Sequence, residues 1–315
     1  AGDLTDDGQP IITSSLLIQV SITGVVIGLI LSLFNRISIN ASKTKLTFTK
    51  TILFNTLGYF AFFCLIIFVS SLYGNTTEFA IAFFFSTESL VAIAFMAINS
   101  VVFHFILQVN RLIGPGVLLE YITGKYFKPV EEERIFMFLD LKSSTSIAEK
   151  LGHSLYSKLI QDCFSLVAEP ASKFQSRIYQ YVGDEIVVTW KFSKSSCKEN
   201  CVHFFFAFQN LLHERKEYFI EQYNVVPEFK AGLHYGKVMA AEVGKLKREI
   251  AYHGDVLNAA SRIQGMCNEL GQALLISEKL LNELQLDKFY KTSYLGNLSL
   301  KGKDEKLKLH CIKQA

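Results

Sequence analysis

Three long apolar runs in the first third of the chain restrict its folding more than any other feature. They are Ile11–Asn35, Thr51–Thr77 and Ser89–Asn110, and none of them contains Asp, Glu, Lys or Arg. Each run is long enough to cross a hydrocarbon core of about 30 Å as a helix. Helices buried in a soluble core are the alternative, but uncharged runs of this length are typical of membrane spans. The sequence therefore predicts a membrane domain of about three transmembrane helices over residues 1–110.

The charges that flank these runs predict their orientation. The loop Asn35–Lys50 contains four basic residues and no acidic one, whereas the only charged side chains among the first ten residues are acidic. Short basic loops face the cytoplasm. We therefore expect a multi-pass protein of the cell (inner) membrane, embedded in the lipid bilayer, whose chain after Arg111 is cytoplasmic. The short apolar stretch Phe79–Phe85 fits either a re-entrant or interfacial piece or an extension of the third span.

The remaining chain has the composition of a soluble domain and is joined to the spans by a short linker. Gly114-Pro115-Gly116 breaks the third helix, and an amphipathic stretch follows in which Lys125 and Lys128 are placed to meet anionic headgroups. We assign residues 111–133 to this linker and residues 134–315 to the cytoplasmic domain. The formal net charge of the whole chain is only +3, which argues against nucleic acid as a partner.

Two aspartates, each at the end of a strand-like run, organise the cytoplasmic domain. Ile135–Leu139 is rich in β-forming residues and stops at Asp140, after which small polar residues lead into a helical pattern. Ile178–Val182 and Ile186–Trp190 are two further runs, and Gly183-Asp184-Glu185 joins them as a hairpin turn. If these strands are neighbours, the two carboxylates converge at one end of a sheet, beside the N-terminus of a helix.

Converging carboxylates beside a helix N-terminus suit a metal–triphosphate complex. Carboxylate oxygens are the ligands that Mg²⁺ and Mn²⁺ prefer, and the free N–H groups of a helix N-terminus bind phosphate. An aspartate after a strand is also a common helix cap, and Gly-Asp is an ordinary turn, so neither aspartate alone identifies a function.

Two later segments strengthen this interpretation. His253–Arg262 contains Asn258 and Arg262, which share one face of a helix because they are four residues apart. Ser299–Lys303 places cations near the C-terminus, Lys301 among them. The four segments together therefore supply carboxylates for a metal and polar or cationic groups for a nucleotide.

In this order, over roughly residues 130–313, the four segments resemble the catalytic domain of class III nucleotidyl cyclases, the adenylate and guanylate cyclase family. The resemblance implies a membrane-anchored bacterial type, with an α+β fold in which transmembrane helices precede a ferredoxin-like βααββαβ core. It further implies a homodimer with active sites at the subunit interface. The implied activity is that of an adenylate cyclase, a phosphorus–oxygen lyase that converts ATP to 3′,5′-cyclic AMP and pyrophosphate for signal transduction.

The resemblance also implies the roles of individual residues. Asp140, Leu141 and Asp184 correspond to the ligands of two Mg²⁺ or Mn²⁺ ions per active site. Asn258 and Arg262 correspond to the catalytic pair that the partner subunit offers to the ribose and to the phosphates in the transition state. The residues implied in triphosphate binding are Ser143, Ser144, Thr145 and Lys301.

The positions that read the base depart from the family's usual patterns. Many relatives that use ATP place a lysine four residues before the second metal aspartate and an aspartate seven before the asparagine, whereas guanylate cyclases commonly place a glutamate and a cysteine there. This chain has Gln180 and Ala251 instead. A glutamine amide can serve adenine or, turned over, guanine. We expect ATP, because the carboxylate associated with guanine is missing, and GTP remains the alternative substrate.

Two alternatives compete with an adenylate or guanylate cyclase, one from the same broad class of enzyme and one from another class of protein. Tyr181–Ile186 superficially echoes the signature of diguanylate cyclases, but Val182 and Ile186 replace the glycine and phenylalanine expected there, and that family lacks the Asn258/Arg262 helix. A membrane receptor whose cyclase-like domain only dimerises or binds nucleotide is the second alternative. Its sign would be the loss of a metal aspartate, and both are present.

The rest of the domain is expected to alternate helices and strands. We predict one helix over Leu141–Ala168 and a helical region over Lys198–Glu221, whose phenylalanines belong to the core. Two separate strands, Val226–His234 and Lys237–Val243, are predicted on either side of Gly236. Further strands are predicted at Ala273–Ile276, Tyr290–Tyr294 and Lys306–Ile312.

Overall fold

The structure is a computed structural model that describes residues 48–72, 77–192, 198–286, 288–299 and 306–315. The described chain divides into two compact units, one that ends at Ile113 and one that begins at Gly114. The first predicted span, Ile11–Asn35, and the predicted phosphate ligand Lys301 lie outside the described residues.

The first unit consists of helices. They are α1 (Phe48–Leu72), α2 (Thr77–Phe84) and α3 (Thr87–Ile113). Among the described residues, one stretch, Ser89–Ile113, is long and apolar enough to cross a membrane by length and composition. Within the part of the chain that the structure describes, most of its large apolar side chains are exposed. The short apolar stretch before Glu88 forms α2, a helix of eight residues.

The second unit is a mixed α+β domain built on one sheet. In chain order, its helices and strands are α4 (Val117–Ile122), β1 (Val130–Leu141), α5 (Ser144–Leu166), α6 (Ala168–Lys173), β2 (Arg177–Val182), β3 (Glu185–Lys191), α7 (Asn200–Glu214), α8 (Lys216–Tyr223), β4 (Phe229–Val243), β5 (Glu249–His253), α9 (Asp255–Gly265), β6 (Leu274–Ser277), α10 (Glu278–Leu281), β7 (Tyr290–Ser299) and β8 (Lys306–Gln314).

The sheet has the strand order β2-β3-β1-β4-β6-β8-β7, and β5 pairs with the distal half of β4. Its first four strands are antiparallel neighbours and carry the predicted ferredoxin-like order. β1 lies between β3 and β4, so Asp140 near its end is opposite Glu185 on one side and Lys230 on the other.

Alternate residues of β1 face opposite sides of the sheet, as a pleated strand requires. Ile135, Met137, Leu139 and Leu141 belong to the larger core, under α5 and α7. Phe136 packs in a second core with residues of β5 and α9, and Phe138 lies against it. The phenylalanines of α7 belong to the larger core, with Phe204, Phe205 and Phe208 buried, which confirms their predicted role in packing.

Two local predictions are wrong. β4 is one continuous strand from Phe229 to Val243, not two strands separated at Gly236. Gly236 lies in the middle of this strand. A Cβ at this position would come within 2.9 Å of the Val256 side chain, so the glycine permits close packing and does not end the strand. The predicted helix Leu141–Ala168 also begins later, at Ser144, and is interrupted at Gly152, whose φ is 71°.

Strand β5 was not predicted. Its five residues form a hairpin with β4, in which Ala251 is opposite Ala241. The pairing matters for the site because His253, the last residue of β5, stands two residues before the start of α9. The position of α9 therefore depends on β5, which forms by pairing with β4.

Helix α9 packs directly on β4 at Gly232. A Cβ at this position would lie 2.2 Å from the backbone nitrogen of Gln264 and 2.6 Å from the carbonyl oxygen of Ala260. No side chain fits in that space, so the helix that carries Asn258 and Arg262 approaches the sheet only over a glycine.

We expect Gly232→Ala to lower the unfolding free energy by about 1–3 kcal/mol, the usual cost of overpacking, because α9 must move away from the sheet. The thermal midpoint of the purified chain measures this loss. Gly265→Ala is the matched control, since a Cβ there meets nothing within 4 Å. Equal midpoints for both variants would contradict the assigned role of Gly232.

Candidate active site

Asp140 lies at the end of β1 on the face that α9 covers. Its Oδ2 atom accepts hydrogen bonds from Lys230 Nζ at 3.1 Å and from Gln264 Nε2 at 3.0 Å. Lys230 comes from the neighbouring strand β4 and the buried Gln264 from α9. Two partners on one oxygen fix the orientation of the carboxylate, as the outer partners of metal ligands do.

Asp184 occupies the tip of the β2–β3 hairpin, as predicted. Gly183 precedes it with a φ of 61°, a left-handed conformation that glycine adopts without strain. The hairpin brings Asp184 close enough to Asp140 that the charge of Asp184 contributes to the pKa of Asp140. The two aspartates predicted to hold metal are therefore neighbours at one end of the sheet.

A third carboxylate, which sequence reasoning missed, belongs to this cluster. Glu185 is the direct cross-strand partner of Asp140, so both side chains lie on the same face. Burial, followed by the charges of Asp140 and Asp184, raises the pKa of Glu185 to about 7. Burial is also the main cause that raises the pKa of Asp140, and the nearby Asp184 adds to it, although Lys230 opposes both.

This carboxylate cluster suits divalent metal ions. Within the described residues, no group of three or more His, Cys, Asp and Glu side chains is arranged to enclose an ion. Mg²⁺, however, is commonly held by one or two carboxylates and completed by substrate phosphates and water. Burial is the first cause of the raised pKa values of Asp140 and Glu185, and the neighbouring carboxylate charges, which a divalent cation would neutralise, add to it. Leu141, by contrast, points its side chain into the larger core, so it could contribute only its carbonyl oxygen.

The loop after Asp140 leads into the N-terminus of α5. Ser143 adopts a left-handed conformation with φ 58°, and its side chain makes no capping hydrogen bond. Ser143 and Thr145 are exposed and Ser144 is half-buried. The first N–H groups of a helix have no partner within it, so this turn can bind an anion beside the aspartates. Tyr156, also missed from the sequence, interacts with Ser144 and with the charge of Asp184.

Asn258 and Arg262 are both exposed on α9. Val256, Ala259 and Ile263 of the same helix are buried, so the helix packs through one face and presents the pair on another. Inside one chain, the α9 side chain that bonds Asp140 is Gln264. Asn258 and Arg262 are thus brought together, as predicted from their spacing, on the side of α9 that faces away from its own core.

A β-bulge positions Gln180. The register of β2 against β3 shifts at Tyr179, so that Ile178 pairs with Val188 and Gln180 with Val187. Val187 belongs to the core on the α9 side, so Gln180 lies on that face, where it is exposed. Without the bulge, simple alternation from Ile178 would place Gln180 on the opposite face.

The strands that carry Gln180 and Ala251 are linked by two tyrosines. The rings of Tyr179 and Tyr252 are 5.0 Å apart, and the Tyr179 hydroxyl accepts a hydrogen bond from the Tyr252 N–H. Ala251, next to Tyr252 on β5, is half-buried. The two positions expected to read the base are therefore held on adjoining elements.

Lys230, Gln264, Glu185 and Tyr156 were not identified from the sequence. A lysine between Phe229 and Ala231 could have been noticed as a charge inside a strand. The partner of Lys230 could not have been recognised from the sequence, because only the pairing of β4 with β1 places Lys230 opposite Asp140.

A ferredoxin-like sheet with neighbouring aspartates at the end of β1 and at the β2–β3 hairpin is the arrangement expected of the catalytic domain of a class III nucleotidyl cyclase. Residues 128–314 match the family described as the Adenylate and Guanylate cyclase catalytic domain. The chain therefore belongs to this family.

Individual relatives agree with this assignment. The chain is 36% identical over 203 residues to Adenylate cyclase 2 of Rhizobium meliloti (strain 1021), a match that covers 64% of this chain and 56% of the relative. It is 24% identical over 183 residues to the adenylate cyclase of Anabaena cylindrica, covering 56% and 36% respectively. The chain thus spans little more than half the length of the first relative and about a third of the second.

Solved structures show the same fold. A bacterial light-regulated adenylyl cyclase aligns with a TM-score of 0.60 at 17% identity, covering 73% of this chain and 67% of the other. The adenylyl cyclase CyaB from P. aeruginosa aligns with a TM-score of 0.52 at 18% identity, covering 60% and 97%. At these identities, the likeness concerns the fold alone.

Proposed function

We propose that this protein is an adenylate cyclase that converts ATP to 3′,5′-cyclic AMP and pyrophosphate at a homodimer interface. The observation that carries the proposal is the meeting of Asp140 with Asp184 beside the N-terminus of α5, on a chain that belongs to the cyclase family. Turnover of ATP by the purified protein in the presence of Mn²⁺, with the products resolved by chromatography, is the direct test. Nucleotide binding without product would favour a receptor with a cyclase-like domain.

Asp140 and Asp184, with the carbonyl of Leu141, would hold two Mg²⁺ or Mn²⁺ ions. Bound there, the ions would lower the pKa of the ribose 3′-hydroxyl and neutralise the triphosphate. Lys230 and Gln264 hold Oδ2 of Asp140, so Oδ1 would be the oxygen that binds a metal ion. The turn at Ser143, Ser144 and Thr145 would bind phosphate through its N–H groups, with Lys301 as a further phosphate ligand.

Asn258 and Arg262 would act on the substrate of the partner subunit. Their exposure on α9 makes them available to a second chain. Asn258 would hold the ribose so that the 3′-oxygen attacks the α-phosphorus in line while the bond to pyrophosphate breaks. Arg262 would stabilise the negative charge that develops on the α-phosphate. A two-fold dimer would then contain two equal composite sites.

The N-terminal unit would anchor the enzyme in the cell (inner) membrane as a multi-pass domain, with the catalytic domain in the cytoplasm. The exposed apolar surface of Ser89–Ile113 supports this arrangement. We propose residues 1–110 as the membrane domain, 111–133 as the linker and 134–315 as the catalytic domain. Such an arrangement would serve signal transduction, because a stimulus at the membrane part could reach the linker directly.

We expect the kcat/KM of the enzyme to favour ATP over GTP only modestly. Gln180 offers one neutral amide and Ala251 no polar group, and strong rejection of a wrong base requires buried polar groups that it leaves unpaired. Gln180→Glu should narrow or reverse the preference, since a carboxylate accepts from the N–H groups of guanine. Measuring kcat/KM for both nucleotides with both proteins decides the matter. A wild-type enzyme that prefers GTP would make this a guanylate cyclase.

A further inference from the structure

A cationic cavity of about 290 Å³ lies in the second unit, away from the aspartates. Arg134 in its wall is six residues before Asp140 on β1, which corresponds to about 20 Å along an extended strand. Its lining includes Pro115, Glu120, Lys125, Arg134, Arg177 and Lys191. The cavity is therefore formed by the linker and by the far ends of β1, β2 and β3.

Cations outnumber carboxylates around this cavity. The buried Glu132 contacts Arg134 at 2.8 Å, Lys125 at 3.4 Å and Lys191 at 3.7 Å. Glu120 contacts Arg177 at 2.6 Å and also binds Lys125. Burial opposes the ionisation of both carboxyls, but the cations hold the pKa of Glu120 and of Glu132 below the ordinary value. Four cations therefore face two carboxylates, an excess of two positive charges.

Arg134 is the most buried of these cations, with 5% of its side chain exposed. Its guanidinium lies over the ring of Tyr252 at 4.5 Å. Among the described residues, Arg134 donates a hydrogen bond to one carboxylate, that of Glu132, and does so through Nε. Its two terminal nitrogens therefore remain for a ligand. A fixed guanidinium fork with neighbouring ammonium groups is the arrangement that binds phosphate oxygens.

We propose that this cavity binds a phosphate-bearing anion through Arg134, Arg177, Lys125 and Lys191. The phosphate could belong to a lipid headgroup or to a free phosphate compound. Pro115 in the cavity wall is two residues after Ile113, the last residue of the candidate membrane helix. A lipid headgroup is therefore one of the two sources that the test must distinguish.

The anion would compete with Glu120 for Arg177 and Lys125. Glu120 belongs to α4 in the linker, whereas Arg177 begins β2, the strand that leads to Gln180 and the Asp184 hairpin. The Arg177 guanidinium also donates a hydrogen bond to the Tyr252 hydroxyl at 3.3 Å. Binding of the anion would thus weaken the tie between the linker and the strand that carries part of the active site.

The test is phosphate binding by the full chain in a neutral detergent, with EDTA and without nucleotide, measured by calorimetry with inorganic phosphate as the probe. Arg134→Gln should weaken binding at least about tenfold, because it removes a charge-assisted donor. Lys191→Gln should weaken it about threefold, the size expected of an exposed charge. Glu120→Gln should tighten binding, because it removes the competing carboxylate.

Lys237→Gln is the matched control. Lys237 is 64% exposed, close to the 61% of Lys191, and it pairs with Glu131 away from the cavity, so its removal should leave binding unchanged. The Lys191 and Glu120 variants leave Arg134 in place, so they decide the question even if Arg134→Gln unfolds. Absence of saturable binding, or binding that the three cavity variants leave unaltered, would overturn the proposal.

A second arm distinguishes the two sources of phosphate. The chain is placed in nanodiscs of phosphatidylcholine alone or with phosphatidic acid. Loss of inorganic phosphate binding only with phosphatidic acid identifies a lipid headgroup as the occupant, and equal binding in both identifies a soluble phosphate. Neither arm needs metal or turnover. Absence of anion binding would therefore leave the proposed cyclase activity untouched, and absence of cyclase activity would leave the proposed anion site untouched.

Discussion

Asp140→Asn and Asp184→Asn should each lower turnover by at least about 10²–10³-fold, the loss typical of removing one preorganised electrostatic group. In the proposed mechanism each active site would need both carboxylates for its metal ions, and an amide carries no charge to hold them. The fold should persist, because an asparagine at 140 can still accept a hydrogen bond from Gln264. The neutral amide also avoids the cost of burying the charge of Asp140. The measurement is kcat with ATP and Mn²⁺, together with the mass of the particle in solution.

Glu228→Gln is the control for this prediction. Glu228 lies at the same end of the sheet, just before β4, but it is 63% exposed and pairs with Lys142. We expect its loss to leave turnover near that of the wild type. Turnover near the wild-type level in either aspartate variant would contradict the metal assignment, and equal losses in all three variants would point to a general effect of charge.

Mixing the Asp140→Asn and Arg262→Ala proteins should restore activity that neither possesses alone. Asp140 lies on β1, whereas Arg262 is exposed on α9 and turned away from the core of its own chain. In a composite site, each chain supplies one of these groups. With free exchange of subunits, half of the dimers would be mixed, and each would have one intact site, so about one quarter of wild-type activity should return.

Two measurements make the mixing experiment decisive. Differently tagged subunits show whether mixed dimers form, and mixing Asp140→Asn with Asp184→Asn supplies the control. Both defects then fall on the same side of the composite site, so each site in the mixed dimer lacks an aspartate and activity should stay low. If mixed dimers form and the first pair also stays inactive, the sites are not shared between subunits.

The short-range features of this protein follow from its sequence alone. The strand before Asp140, the hairpin with Asp184 at its tip and the common face of Asn258 and Arg262 were all predicted correctly. Each depends on a periodicity or a turn signal within about ten residues, so no distant contact is needed to recognise it. The α+β class of the domain followed from the order of these elements and from the family resemblance.

Features that depend on pairing between distant segments were decided by the tertiary structure. Gly236 is read locally as a strand end, yet β4 pairs with β1 without a break on both sides of it and is continuous. Lys125 binds Glu120 and lies near Glu132, two contacts that the sequence did not predict. Local patterns cannot foresee such contacts, because their partners are set by how the chain returns to itself.

The surroundings of Asp140 illustrate the same division. The sequence alone places the carboxylate at the end of a strand. The register of β1 with β3 and β4 then determines that Glu185 and Lys230 flank it, and the close approach of α9 over Gly232 brings Gln264 to the same oxygen. A shift of one residue in either register would turn these side chains to the other face. The sequence thus determines which groups are available, and the long-range pairing of strands and helix determines which of them act together.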